Sequence, residues 1–176
     1  PDMAIFAKAL GNGHPIGAVI GTAAAMDGAH HSFISSTYWT ESVGPAAALA
    51  TVRKMQRISL PQHLAWAGQT VKDIWRRCAQ SAGIGVRVTG GFPCMAHLHF
   101  DHPDELAVRT LYTQQMLARG FLAGAGYYPT LAHTEREMCG FEQAVGEVFK
   151  ELADAIQDGT VTAQLHGPVV HSGFRR

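Results

Sequence analysis

Two stretches of this chain repeat apolar residues at spacings of three and four, the period of one helical face. Leu64, Ala67, Val71, Ile74, Trp75 and Cys78 make the first stripe, which follows a break at Pro61 and runs out near Gly83. Met138, Phe141, Val145, Val148, Phe149, Leu152 and Ile156 make the second. Thr134-x-x-Glu137 ahead of this second stripe reads as a capping box, and Gly159 as its stop. A third helix is predicted from His102-Pro103 to Gly120, with Asp101 and Asp104 favouring its positive end. A fourth carries Ala46, Leu49, Ala50 and Val52, with Pro45 in its first turn and its end near Arg57. Shorter apolar runs at residues 3–7 and 16–20, bounded by Gly and Pro, predict two buried strands of a sheet covered on both faces. Residues 85–89 and 94–100 predict two more strands around the turn chemistry of Gly90-Gly91-Phe92-Pro93. Residues 22–29 read as a short helical turn and 121–123 as a short apolar run. The pattern thus predicts α/β structure in the first third, a boundary at residues 58–62, and a small α+β layer of two strands and three helices beyond it.

Composition narrows the functional classes. Lys+Arg and Asp+Glu both number 14, so no basic face is implied and neither nucleic acid nor an anionic membrane is an expected partner. No apolar run approaches the ~18 residues of a membrane span and nothing resembles a signal peptide, so a soluble, cytoplasmic chain is expected. Cys78, Cys94 and Cys139 are scattered without metal-knuckle spacing, which suits a reducing compartment.

The densest chemistry lies at the start. Lys8 sits between Met3-Ala4-Ile5-Phe6-Ala7 and Ala9-Leu10, ahead of Gly11-Asn12-Gly13-His14-Pro15 and a second apolar run closed by Gly21. Such flanks read as a lysine built into a core, where a desolvated amine can lose its proton and attack a carbonyl. The alternative is a lysine whose stem lies on apolar surface while its ammonium reaches water. Gly11-Asn12-Gly13 is no nucleotide cradle, lacking both the Lys-Ser/Thr of a P-loop and a third glycine opening a helix.

Pro1-Asp2, Lys8, Gly11-Asn12-Gly13, Pro15-Ile16-Gly17-Ala18 and Gly21, in that register, resemble the lysine motif of the class-III (ω) aminotransferases, and in particular their glutamate-1-semialdehyde aminomutase-like branch. The resemblance implies the C-terminal part of a fold-type-I pyridoxal-phosphate-dependent transferase: residues 1–60 as the end of the large cofactor-binding domain, and 61–176 as a small C-terminal α+β domain. It implies pyridoxal 5'-phosphate as cofactor, Lys8 as its Schiff-base residue and proton carrier, and glycines that let the backbone close under a flat ring. It further implies that Thr40, five residues before Pro45, contacts the cofactor phosphate of a neighbouring subunit in a homodimer, with Thr37 as the alternative. Phosphate-loop, ring-stacking and pyridine-nitrogen partners would lie outside this chain, so the segment alone is expected to bind the cofactor weakly. The expected reaction moves an amino group from a small-molecule amino donor to a carbonyl acceptor; an intramolecular aminomutase is the close alternative. Residues 124–134 carry no arginine to clamp a carboxylate, and Pro129-Thr130-Leu131-Ala132-His133-Thr134 resembles the Pro-Ser-x-x-His-Thr form of the aminomutase branch with threonine for serine. Tyr127, Tyr128 and His133 would line a substrate entrance there or else pack the domain. His166-Gly167-Pro168 and Ser172-Gly173-Phe174-Arg175 also resemble the tail of this group.

A different enzyme class competes. His97-Leu98-His99-Phe100-Asp101-His102 matches the HxHxDH zinc motif of metallo-β-lactamase-like hydrolases. Against it, His97 and His99 alternate with Ala96, Leu98 and Phe100 as the outer face of a half-buried strand would, and Asp101-His102 suits a helix start. No metal site is therefore expected. An inactive fragment is the third reading.

Overall fold

The computed structural model describes residues 1–171, so the tail motif Ser172–Arg175 lies outside the described residues. The chain divides into two compact units, Pro1–Leu60 and Pro61–Arg176.

In the first unit, β1 (Met3–Phe6) pairs antiparallel with β2 (Ala18–Gly21), with Phe6 opposite Ala18 and Met3 opposite Gly21. A single helical turn, α1 (Ala23–Met26), follows; Thr22 caps it by accepting the Ala25 amide at 3.3 Å. After a 3₁₀ segment (Asp27–His31) and an irregular loop comes α2 (Val43–Arg57), which holds Pro45 in its first turn as the sequence predicts. The expectation of strands covered on both faces is not met. Ile5 is 76% exposed and Ile20 58%, because a two-stranded hairpin has no second layer within its own unit to bury its apolar side chains.

The second unit is built on three helices and one sheet. α3 (Leu60–Ala82) and α5 (Glu135–Gln157) are the two periodic stripes, and α4 (Glu105–Ala118) lies between them in sequence. β3 (Val86–Thr89), β4 (Ala96–Phe100) and β5 (Gly126–Tyr127) form an antiparallel sheet in that order, with Val88 opposite Leu98 and Ala96 opposite Tyr127. β5 is an addition to the two strands expected. Its two residues have no alternation to read, and only pairing with β4 makes them a strand. α4 also starts later than expected. Asp104 sits at its N-cap, accepting the Ala107 amide at 3.3 Å, rather than in its first turn.

The core lies between the inward face of β4 and the three helices. Ala96, Leu98 and Phe100 point inward and are buried, while His97 and His99 alternate outward. Phe100, Tyr112 and Phe149 meet with ring centroids 5.7 to 5.9 Å apart, and Trp75, Val71, Val145 and Val148 close the cluster. The Trp75 indole N–H and the Tyr112 hydroxyl are buried in this core without a well-formed hydrogen bond. Burial drives the Tyr112 phenol well above its ordinary range, an effect the neighbouring indole only partly offsets.

One lysine is buried, and it is not Lys8. Lys72 on α3 is 6% exposed, and its ammonium donates to the carbonyls of Phe92 at 2.9 Å and Gly90 at 3.3 Å. Those two bonds supply the partners that a buried charge requires. They also tie the β3–β4 turn to the helix, which approaches closely there. A β-carbon on Gly68 would lie 1.9 Å from the Pro93 carbonyl oxygen. At the far end of α4, Arg119 reaches Glu147 at 3.2 Å and Glu151 at 2.5 Å, binding α4 to α5.

Replacing Lys72 by Met strands two carbonyls, and a loss of about 1–3 kcal/mol is expected in urea unfolding followed by circular dichroism. Lys8→Met, at an exposed position, should stay within about 0.5 kcal/mol of wild type in the same assay. Equal effects at the two sites would refute this assignment of the buried amine. A second prediction concerns the capping box at Thr134 and Glu137. Hydrogen bonds from the Thr134 hydroxyl and amide hold the Glu137 carboxyl below its ordinary value of 4.5. A depressed carboxyl stabilises the fold above that value, and the contribution disappears as the pH falls through the folded value. Thr134→Ala should therefore lower the urea midpoint at neutral pH, with the difference from wild type narrowing as the pH falls from 4.5 through the folded value.

Candidate functional site

Lys8 follows directly from the hairpin. β1 ends at Phe6, Ala7 is extended, and Lys8 opens a 3₁₀ turn (Lys8–Leu10) in the left-handed region at φ +51°. A left-handed non-glycine residue is uncommon, and local strain of this kind clusters at functional positions. The turn is closed by the Leu10 amide on the Ala7 carbonyl at 3.1 Å, and by the Asn12 amide on the Ala9 carbonyl at 3.2 Å. Gly11 is required by packing rather than by a ligand, since a β-carbon there would sit 2.1 Å from the His14 carbonyl oxygen. Around Gly13, by contrast, the space is open. Lys8 is exposed, which corrects the expectation of a lysine built into a core. Within its unit the hairpin offers no layer under which to bury an amine. What the structure presents is an accessible amine at the start of a 3₁₀ turn, with open space at Gly13, three residues beyond that segment.

The loop ahead of α2 holds both candidate threonines. Thr37 lies in a turn closed by the Trp39 amide on the Ser36 carbonyl, and Thr40 in the next, closed by the Glu41 amide on the Tyr38 carbonyl. Both are exposed, so either hydroxyl can reach a ligand. Pro15, Ile16 and Gly17 of the lysine motif and Tyr38, Trp39 and Glu41 of this loop line one cleft of about 410 Å³, bringing the two motif segments together; neither Lys8 nor Thr40 lines it. The sequence reading missed Glu41. Its carboxylate accepts the Val43 amide at 2.8 Å and the Gly44 amide at 3.2 Å, so it caps α2. An acidic residue two positions ahead of a helix start was the available signal.

In the second unit, Tyr127, Tyr128 and His133 line a cleft of about 420 Å³ with Trp75, Phe121 and Phe141. The Tyr127 hydroxyl is 3.0 Å from His133 Nδ1, which also accepts the Thr130 amide at 3.1 Å. Burial raises the Tyr127 phenol to about 12, so it keeps its proton at neutral pH.

The histidine motif at 97–102 does not converge. His97 sets its ring edge-on to Tyr128, His99 Nδ1 lies 3.1 Å from Glu105, and His102 Nδ1 accepts the Asp104 amide at 3.0 Å. Among the described residues no group of three or more His, Cys, Asp or Glu side chains is placed to hold a metal ion. No helix among the described residues is long and apolar enough to cross a membrane.

Comparison with known proteins adds the family. The family model for aminotransferase class-III matches residues 1–125, which include Lys8 and the loop ahead of α2. The chain is 29% identical over 153 residues to the 2'-deamino-2'-hydroxyneamine transaminase of Streptomyces kanamyceticus, covering 84% of this chain and 38% of the relative. It is 27% identical over 158 residues to the 3-aminobutyryl-CoA aminotransferase of Cloacimonas acidaminovorans (strain Evry), covering 86% and 38%. Its fold matches the pyridoxal-phosphate internal aldimine form of FumI from Sphingopyxis sp. MTA144 with a TM-score of 0.82 at 23% identity, over 94% of this chain and 39% of that one. An ω-transaminase from Sphaerobacter thermophilus matches with a TM-score of 0.76 at 22% identity, over 86% and 39%. The chain thus has the α/β fold of these transaminases and spans about two fifths of the length of its curated relatives. With a family model matched from the first residue through β4, α4 and the turn after it, this chain belongs to the class-III aminotransferase family.

Proposed function

We propose that this chain supplies the lysine-bearing part of a pyridoxal-phosphate-dependent class-III aminotransferase, with residues 1–60 closing its fold-type-I large domain and 61–176 forming its small domain. The observation that carries the reading is Lys8, an accessible amine in a left-handed turn inside the region matched by the family model. Bound pyridoxal phosphate supplies an electron-withdrawing ring that spreads the negative charge developing on the substrate carbon. Lys8 Nζ is the point of covalent attachment and, once displaced by the incoming amine, the base that takes and returns the proton of the substrate carbon. The rigid turn behind it limits where that nitrogen can go, which favours one carbon path for the proton. Thr40, with Thr37 as the alternative, donates its hydroxyl to the phosphate of a neighbouring subunit, so the working enzyme is a homodimer.

The substrates are a small-molecule amine and a carbonyl acceptor. No arginine lies between residues 121 and 134, which supports a donor whose amino group is not gripped through an adjacent carboxylate. The relatives' names, 3-aminobutyryl-CoA aminotransferase and aminopentol aminotransferase, fit such donors. The run Pro129-Thr130-Leu131-Ala132-His133-Thr134, with threonine at the serine position, keeps the aminomutase-like branch as the second reading.

The chain has four lysines, at positions 8, 54, 72 and 150, so covalent capture is easy to map. Pyridoxal phosphate followed by borohydride should leave a pyridoxyl group on Lys8 in peptide mass spectra, and none at that site in Lys8→Ala. Labelling spread evenly over Lys8, Lys54 and Lys150 would sink the proposal. Without the remaining three fifths of its relatives' length, the 176-residue chain is expected to bind the cofactor weakly and to turn over no amine. Robust transamination by this chain alone would show that the rest is dispensable.

A further inference from the structure

Thr130 is gripped from both sides by imidazoles. Its amide donates to His133 Nδ1 at 3.1 Å, and its carbonyl oxygen lies 3.2 Å from His63 Nε2 of α3 and accepts the His133 amide at 3.1 Å. Its hydroxyl accepts the Ala132 amide at 3.3 Å. A backbone amide can only donate, so Nδ1 of His133 must present its lone pair, which fixes the neutral ring with its proton on Nε2. The Tyr127 hydroxyl, 3.0 Å from the same Nδ1, donates as well.

Protonation changes these contacts unequally. A proton on Nδ1 turns the Tyr127 oxygen into an acceptor, which a hydroxyl permits. It leaves the Thr130 amide facing a second donor, so that bond breaks and the exposed amide turns to water. The His63 bond survives, because Nε2–H donates to the carbonyl whether that ring is neutral or charged. The other ionisable groups around the turn do not follow the same course. Tyr127 keeps its proton up to about 12. Glu137 on α5, lining the same cleft, is held ionised by Thr134 and paired with Arg136. His97 on β4 meets the turn through a ring-edge contact with Tyr128.

We propose that His133 is a pH-sensitive latch on the 128–134 turn: when neutral it holds the Thr130 amide and the turn against the aromatic cleft, and when protonated it releases that amide while His63 keeps its grip on the carbonyl. The turn then pivots about the His63 contact and shifts Tyr128 and His133 at the cleft wall.

Amide hydrogen exchange at Thr130, measured by NMR on the full chain and corrected for the intrinsic pH dependence, tests this directly. Protection of Thr130 should fall about five- to tenfold from pH 8 to pH 5, the scale of one lost hydrogen bond. His133→Asn, whose side-chain oxygen accepts at every pH, should remove the pH dependence, whereas His63→Gln should keep it. Ring nitrogen shifts of His133 at pH 8 should show the proton on Nε2. Protection that stays constant in wild type, an equal fall in His133→Asn, or a proton on Nδ1 at pH 8 would each overturn the proposal. Should His133→Asn not fold, the wild-type ring shifts together with the Thr130 exchange still decide it.

Discussion

Successive side chains of a strand face opposite sides, and in β4 that alternation governs the second unit. Ala96, Leu98 and Phe100 are committed inward, where Phe100 meets Tyr112 and Phe149 and the stripes of α3 and α5 find a surface to cover. His97 and His99 are thereby committed outward. From there each meets a different neighbour, Tyr128 and Glu105, and among the described residues no group of three or more His, Cys, Asp or Glu side chains is placed to hold a metal ion. The parity that builds the core leaves these two histidines on one outward face, each with its own partner.

Polar satisfaction settles where charge can be buried. Lys72 lies within an apolar helical stripe yet is accommodated, because the carbonyls of Gly90 and Phe92 point at its ammonium. The same bonds anchor the β3–β4 turn against the glycine face of α3, so a charged residue acts as a structural tie there. Lys8, with more apolar neighbours in sequence, has no such carbonyls and no covering layer within its unit. Its amine stands exposed on a left-handed turn instead.

The turns at 36–41 and 128–134 show side chains doing the work of backbone. Glu41 takes the first amides of α2, and His133 takes the amide of Thr130. Both are acceptors placed where the chain leaves amides without an internal partner. The difference lies in the number of amides each can take. Glu41 accepts through both carboxylate oxygens, whereas His133 accepts through the single lone pair of Nδ1. The first opens a helix and the second holds a turn.

Local pattern was enough for the elements whose physics is local. The stripes of α3 and α5, the Thr134–Glu137 capping box, Pro45 in the first turn of α2 and the β3–β4 turn all follow from periodicity, caps and turn residues within a few positions of one another. The Lys8 motif was legible for the same reason, since its residues are contiguous. What required the tertiary structure was everything decided by distant partners. The third strand exists only through pairing with β4; the buried lysine is Lys72 because a turn 18 residues away offers carbonyls; and His63 reaches Thr130 across 67 positions. The sequence by itself determined the helices, most of the strands and the family. Which side chains are buried, paired or exposed was decided by the fold, because desolvation and hydrogen-bond satisfaction depend on neighbours that linear order does not reveal.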